Sequence, residues 1–446
     1  MKNQSLALGS LEDAPLNKFH KRLTIYSSGG PFLDGYVLSI IGVVMAQITS
    51  ALELSTSWEG LVAASALIGI FFGGFFGGWF TDRFGRKVLY LVDLIAIVGF
   101  SVAQFWVESA LMLFVWRFLL GVAVGADYPI ATAFLAEFLP RKHRGPLLGF
   151  MLVMWFAGAA CAYIAGSLIL HFGGEDAWRY ALASALVPGI LFLFARAGTP
   201  ESPRWLLSKG RKDEANRIIK QVYGPEYSIA NMAEPEKDSK LSIWSLFHSG
   251  YGKRMLFVTI FWTCAVVPLF AIYSFAPTVL AALGVAESDA TFGSVVITII
   301  FVLGCLLAMK LVNLMGRRQM LIHSFIWSGV PLAVLGFFPD AAPIIVVMLF
   351  CAYALANGGA QVMEFVYPNE LFPTEIRATA VGLATSLSRI GTALGVYLVP
   401  ISVSSIGIGN TMLVAAGVCF IGAWNTYVMA PETRELDLHA AASLDH

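Results

Sequence analysis

Charge is scarce in this chain. Of its 446 residues only 13% are Asp, Glu, Lys or Arg, about half the share of a soluble domain. Strict alternation of polar and apolar residues is missing too. Runs such as LIGIFFGGFFGGWF, residues 67–80, exclude the ten-residue alternating strands of an outer-membrane barrel. There are five cysteines, at 161, 264, 305, 351 and 419, all inside apolar runs and none at metal-ligand spacing. They read as small buried hydrophobes, not as bridges or zinc ligands. No nucleophile–base set, phosphate-binding loop or metal spacing is found, so an enzyme is not expected. Formal net charge is zero, which gives no footing for nucleic acid. The first residues, MKNQSLALGSLEDAPLNKFHKR, contain no apolar core followed by a small-residue cleavage site, so no cleavable signal peptide is expected.

What the chain has in abundance is apolar length. Hydrophobic residues make up 57% and mean hydropathy is +0.73. Runs near 20 residues, each able to cross a hydrocarbon core of ~30 Å, recur throughout. Twelve spans are predicted: 24–48, 58–80, 88–107, 109–133, 146–170, 178–197, 255–283, 291–312, 320–338, 343–366, 377–402 and 408–430. The connections after even-numbered spans are basic (DRFGRK, PRKHRG, 198–254, GRR), and those after odd-numbered spans nearly lack Lys and Arg, Arg179 excepted. Basic loops face the cytoplasm. The expected placement is therefore a multi-pass protein of the cell (inner) membrane with both termini cytoplasmic.

One half is written twice. GRK at 85–87 returns as GRR at 316–318, an offset of 231; PES at 200–202 returns as PET at 431–433, again 231. EFLPRKHR at 137–144 returns as ELFPTEIR at 370–377, an offset of 233. The expected fold is all-α: twelve transmembrane helices in two pseudo-symmetric six-helix bundles, 1–197 and 255–446, joined by a charged linker at 198–254. The middle of that linker, GPEYSIANMAEPEKDSK, reads as mobile or loosely folded. Parallel six-span repeats are the plan of a rocking transporter with its site between the halves.

The motifs resemble a known family. GWFTDRFGRK (78–87) matches the G-x-x-x-D-R-x-G-R-K loop of the major facilitator superfamily. PESPRWL (200–206), the E-x-x-P-x-x-x-R-G run at 137–145 and PETR (431–434) resemble its sugar-porter branch. FLDGY, GADYP, YPNELFPTEIRA and SRIG are similar to bacterial metabolite:proton symporters, a group that includes aromatic-acid and nicotinate carriers and is akin to animal organic-ion carriers. The resemblance implies alternating access driven by the proton gradient, no cofactor, and a monomer in the lipid bilayer.

The repeated loop motifs supply candidate gating residues. Asp82, Arg83, Gly85 and Arg86, with Glu137 and Arg144, form the expected cluster of the first half; Arg317, Glu370 and Arg377 form its counterpart. Asp82 can meet a helix dipole and pair with Arg144 or Arg86, and Gly85 permits a tight turn. Asn313 stands where Asp82 stands in the first half, so a weaker lock is expected in the second. The plainer reading is that these residues only fix topology.

Ionisable residues inside spans cost at least ~2.5–3.5 kcal/mol at mid-membrane, which makes each a functional candidate. Asp34 in span one and Arg117 in span four are the expected proton-coupling pair, with Asp127 a second candidate. The sugar-porter pattern has its span-one aspartate three residues later, where this chain has Val37. A static ion pair between spans one and four is the bland alternative. Asp93 and Glu364 lie nearer the basic ends of spans three and ten. Arg389 has no carboxylate within ten residues on either side; it is expected to grip an anionic group of the cargo, or else to be neutralised by Glu364 or Asp34. Asn357, Gln361 and Glu364 fall at i, i+4 and i+7, one polar stripe on an apolar helix. Tyr36, Trp155, Trp262 and Tyr273 are expected to wall the cavity.

The expected function is proton-coupled symport of a small organic anion, an aromatic or sugar-derived monocarboxylate. The alternative is a neutral sugar or polyol symporter, and a non-transporting sensor ranks third.

Overall fold

The computed structural model describes residues 10–84, 86–232, 251–372 and 374–434. Ten helical stretches are long and apolar enough to cross a membrane. Two of them, Leu147–Ala197 and Ala380–Met429, run to 51 and 50 residues, more than twice what a ~30 Å core requires. The first breaks at Gly174 (φ 68°) and the second at Gly407 (φ 82°), both in the left-handed region that glycine adopts freely. Past Gly407 the chain reverses: Thr411 Oγ1 bonds Ser402 Oγ at 3.2 Å, whereas nine residues of straight helix would separate them by ~13 Å. Each long stretch is thus two crossings, and the total among the described residues is twelve.

In chain order the spans are Lys18–Ser27 continuing as Gly29–Ala51, then Thr56–Phe84, Arg86–Ala103, Ala110–Phe138, Arg141–Gly173, and Ala177–Ala183 with Leu186–Ala197; the second half runs Gly252–Ala282, Glu287–Met315, Arg317–Phe337, Pro343–Leu371, and Thr374–Met429 divided at Gly407. Several helices extend about five residues past the apolar runs, because hydropathy marks only the lipid-facing part while hydrogen bonding continues into the polar ends. Span seven leaves helical geometry at Phe275 (φ −138°, ψ 15°), two residues before Pro277, whose ring displaces the preceding turn.

The described part of the linker that precedes residue 233 is more ordered than its composition suggests. Helices Pro203–Ser208 and Lys212–Tyr223 pack on the first half. Tyr223 OH donates to the Phe138 carbonyl at 2.7 Å, and Asn17 Nδ2 to the Val222 carbonyl at 2.7 Å. Part of the expected loose middle is also ordered: Tyr227 is buried and Ser228 with Asn231 closes a capping box over Ile229–Asn231, while 233–240 lie outside the described residues. That buried ring and the cap offset the low hydrophobicity of the stretch.

Helices approach backbone to backbone at glycines. A Cβ on Gly158 (span five) would lie 2.7 Å from the Phe32 carbonyl carbon, and one on Gly35 (span one) 2.8 Å from that of Trp155. Spans two and four interlock likewise, Gly73 against Val122 and Gly125 against Ile70. The second half repeats this at Gly304 against Leu355 and Gly358 against Gly304 itself. Gly304 lies 231 residues after Gly73, and Gly358 lies 233 after Gly125. At the neighbouring Gly74 a Cβ would meet only ordinary contacts at 3.7 Å or more.

Arg179, the one arginine or lysine in the connections after odd-numbered spans, is a clamp. Its Nη1 donates to the carbonyls of Phe105, at 3.0 Å, and Val107, and its Nε to Asp176 at 3.1 Å. It closes the turn between spans three and four.

Candidate functional site

The two halves meet along an aromatic seam. Trp155 of span five stands edge-on to Phe270 and Tyr273 of span seven, with ring centroids 5.9 and 5.2 Å apart. Phe156 stacks on Phe301 of span eight at 5.5 Å. Tyr163 OH donates to the Tyr273 carbonyl at 3.1 Å. Trp155 and Tyr273 are therefore contacts between the halves. Tyr36 is different: its hydroxyl bonds Ser184 Oγ at 2.6 Å within the first half.

In the second half the polar stripe turns inward. Asn357, Gln361 and Glu364 are all buried. Gln361 Nε2 donates to the Ala265 carbonyl of span seven at 3.3 Å, and Asn357 Nδ2 to Tyr353 OH at 2.9 Å. Glu364 lies within electrostatic reach of Arg389 and beside Trp262. The Arg389 guanidinium sits 5.4 Å from the centre of the Phe270 ring, a cation–π distance. Phe270 in turn touches Trp155, so Arg389, Phe270 and Trp155 form a line from span eleven across the seam.

In the first half the expected Asp34–Arg117 pair does not form. Among the described residues Arg117, only 1% exposed, has no ion pair, and its Nε and Nη1 lack partners. The charges that act on Asp34 are Asp127 and Arg196. The reason is axial. Gly30 abuts the Asp127 carboxyl, its Cβ position 2.6 Å from Cγ. Asp34 lies four residues beyond Gly30, ~6 Å further along span one, while Arg117 is ten residues, ~15 Å, back along span four. Residue 37, where the sugar-porter pattern puts its aspartate, is nearer the Arg117 level and here is valine.

Asp127 instead pairs with Arg196, which sequence reasoning missed. Arg196 Nη1 reaches Asp127 Oδ1 at 2.8 Å, Asp93 Oδ1 at 3.5 Å and the Tyr90 carbonyl at 2.9 Å. The Arg196 side chain is fully buried and lies 4.0 Å from the centre of the Tyr90 ring. Its place just before the PES motif resembles an ordinary basic loop flank. The available signal was that Arg196 falls inside the predicted span 178–197 instead of after it.

At the basic end the repeated motifs explain one another. Glu201 of PES accepts from the Lys87 backbone N–H at 3.1 and 3.2 Å, capping span three. Glu432 of PET accepts from Arg317 N at 2.9 Å and Arg318 N at 3.2 Å, capping span nine. A carboxylate at a helix N-terminus satisfies orphan donors and meets the dipole. Gly316, φ 89°, makes the turn, and a Cβ there would lie 2.6 Å from Glu432 Oε2. Beside each cap a second acid joins: Glu137 accepts from Ser202 Oγ, and Glu370 accepts from Thr433 Oγ1 at 2.6 Å and pairs with Arg317 Nη2 at 2.9 Å. The side chains of Asp82, Arg83, Arg86, Arg144, Asn313 and Arg377, and all of Gly85, lie outside the described residues. Glu432→Ala is expected to cost about 1 kcal/mol, the worth of a helix cap, read as a lower thermal midpoint of purified protein; an unchanged midpoint would show that water replaces the carboxylate.

Twelve crossings in two halves, closed against each other by an aromatic seam and carrying buried charge in both, define a polytopic membrane transporter of the major facilitator type. Residues 23–444 match the family model described as "Sugar (and other) transporter", and the chain belongs to that family. It is 42% identical over 436 residues to YaaU of Escherichia coli (strain K12), covering 98% of this chain and 97% of that one. It is 36% identical over 436 residues to the inner membrane metabolite transport protein YgcS of the same strain, covering 97% and 96%. Among solved structures, a partially occluded inward-open conformation of the xylose transporter XylE from E. coli superposes with a TM-score of 0.81 over 94% of this chain and 99% of that one, at 21% identity. A D-xylose–proton symporter gives 0.77 over 93% and 98%, at 22% identity. At that identity the likeness carries the fold.

Proposed function

We propose that the protein is a proton-coupled symporter of a small polyhydroxylated solute, working by alternating access across the seam. The carrying observation is the inward polar stripe of span ten opposite Arg389. Two amides, a carboxyl and a guanidinium, with the aromatic faces of Trp262, Phe270 and Trp155 close by, supply donors, acceptors and stacking surface for a ring bearing hydroxyls. The resemblance of the motifs to proton symporters, and the D-xylose–proton symporter named among the structural neighbours, support the coupling.

Two cargoes fit, each with its own observation. Arg389 favours a sugar-derived carboxylate, which a guanidinium takes by two parallel hydrogen bonds. Glu364, close enough to act on Arg389, favours a neutral sugar or polyol, because its carboxyl competes with an anionic cargo for the guanidinium. A thermal-shift screen of purified protein against D-gluconate, D-glucuronate, D-xylose and myo-inositol separates them. For an acid cargo, Arg389→Ala is expected to weaken binding by about 10- to 100-fold, the worth of a charge-assisted hydrogen bond, while Glu364→Gln tightens it. For a neutral cargo both substitutions weaken binding. If none of the four probes shifts the midpoint, the polyhydroxylated reading is wrong.

A further inference from the structure

We infer that Asp34, Asp93 and Asp127 form a buried proton-binding site around the guanidinium of Arg196, which brings Asp93 and Arg196 into the coupling machinery. The inference rests on the symport reading for its role in transport, though not for the binding itself.

Four spans meet at this point. Span one brings Gly30 and Asp34, span three Tyr90 and Asp93, span four Asp127, and span six Arg196. The guanidinium is fully engaged: besides Asp127, Asp93 and the Tyr90 carbonyl, its Nη2 donates to the Ser27 carbonyl and its Nε to that of Tyr26, each at 3.4 Å. Gly30 is the lid. Any larger residue there would collide with the Asp127 carboxyl. Asp34 follows one turn later on the same face. It is 4% exposed, and its Oδ1 has no hydrogen-bond partner.

Charge counting then decides what is missing. Three carboxylates lie around one guanidinium: among the described residues Arg196 is the only cation that acts on Asp34 or Asp93, and it is the cation paired with Asp127. Fully ionised, the group would carry two uncompensated negative charges out of reach of water, which interiors do not sustain. Asp93 Oδ2 and Asp127 Oδ2 lack partners as Asp34 Oδ1 does, and the carboxyls of Asp93 and Asp127 face each other. A proton on one carboxyl turns it into a donor for its neighbour, so it removes charge and satisfies an orphan oxygen together. The remaining titratable group facing the cluster is the Tyr90 phenol, whose oxygen is bonded to Ser27 Oγ at 2.8 Å. No set of three or more His, Cys, Asp or Glu suited to a metal ion is found among the described residues.

Infrared difference spectroscopy of purified protein, taken through a pH titration without cargo, tests the site through the C=O stretch of protonated, dehydrated carboxyl groups. Wild type is expected to show that band on acidification. Asp93→Asn removes one negative neighbour and is expected to move the band's midpoint to lower pH by about one unit, with Asp93→Glu restoring it. Should Asp93→Asn fail to fold, Asp34→Asn, which has no bond at Oδ1 to lose, gives the same shift. A wild type without the band, or midpoints unmoved in both variants, overturns the site. Uptake of labelled D-gluconate or D-xylose that ignores an uncoupler overturns the symport reading alone and leaves the titration result standing.

Discussion

Asp34→Asn is expected to leave the carrier able to exchange cargo across the membrane but unable to concentrate it. Asparagine keeps the size and the hydrogen-bonding capacity of a neutral carboxyl. It cannot release a proton, so it imitates one half of the coupling cycle permanently. A symporter fixed in that half still rocks with cargo bound, because the seam and the polar stripe of span ten are untouched. What it loses is the link to the proton gradient. A membrane potential of 100 mV is worth ~2.3 kcal/mol per proton, or a concentration ratio of about 50, and that whole factor should disappear. Counterflow of labelled cargo into preloaded proteoliposomes, measured beside uphill uptake, separates the two. Wild-type accumulation by the variant would remove Asp34 from the coupling site; loss of both activities would make it structural.

Gly158→Ala is expected to disassemble the first half. The added carbon would meet the Phe32 carbonyl, 2.7 Å from its carbon atom, where ordinary contact begins near 3.4 Å. The obstacle is backbone on a neighbouring helix, so no rotamer change relieves it. Spans one and five would have to part by roughly an ångström, which costs more than the usual 1–3 kcal/mol of overpacking. Gly35 against Trp155 is the reciprocal contact, so the same separation also opens the surface that places Trp155 at the seam. Yield of monodisperse protein in size-exclusion chromatography should fall several-fold. Gly99→Ala is the control. Nothing lies within 4 Å of the new carbon there, and a helical alanine is about 0.5–1 kcal/mol better than glycine. Equal yields from both variants would mean that the helices slide past the clash.

Much of the architecture was legible because it is written in quantities that survive linear reading. Apolar run length gave twelve crossings, and the offsets of GRK, PES and EFLPRKHR gave two halves. The helix caps by Glu201 and Glu432 show why those motifs recur: each carboxylate needs the turn at the GRK or GRR segment as its partner. The candidate site was legible only in part. Asn357, Gln361 and Glu364 share a face because helical spacing dictates it. Asp34 and Arg117 fall at similar distances from approximate span ends, yet in the fold their levels differ by roughly 9 Å, nearly two turns of helix. Arg196 was hidden for a different reason. A basic residue next to a basic loop carries no unusual signal until its neighbours in space are known.

The steric vacancies at Gly73 and Gly125 have counterparts at Gly304 and Gly358, although the residues around them differ widely between the halves. Ancestry is therefore recorded here in missing carbons more faithfully than in side-chain identities. The joint of second helix against fourth thus belongs, with the capped GRK and PES turns, to what the two halves hold in common, while the side chains between those fixed points differ.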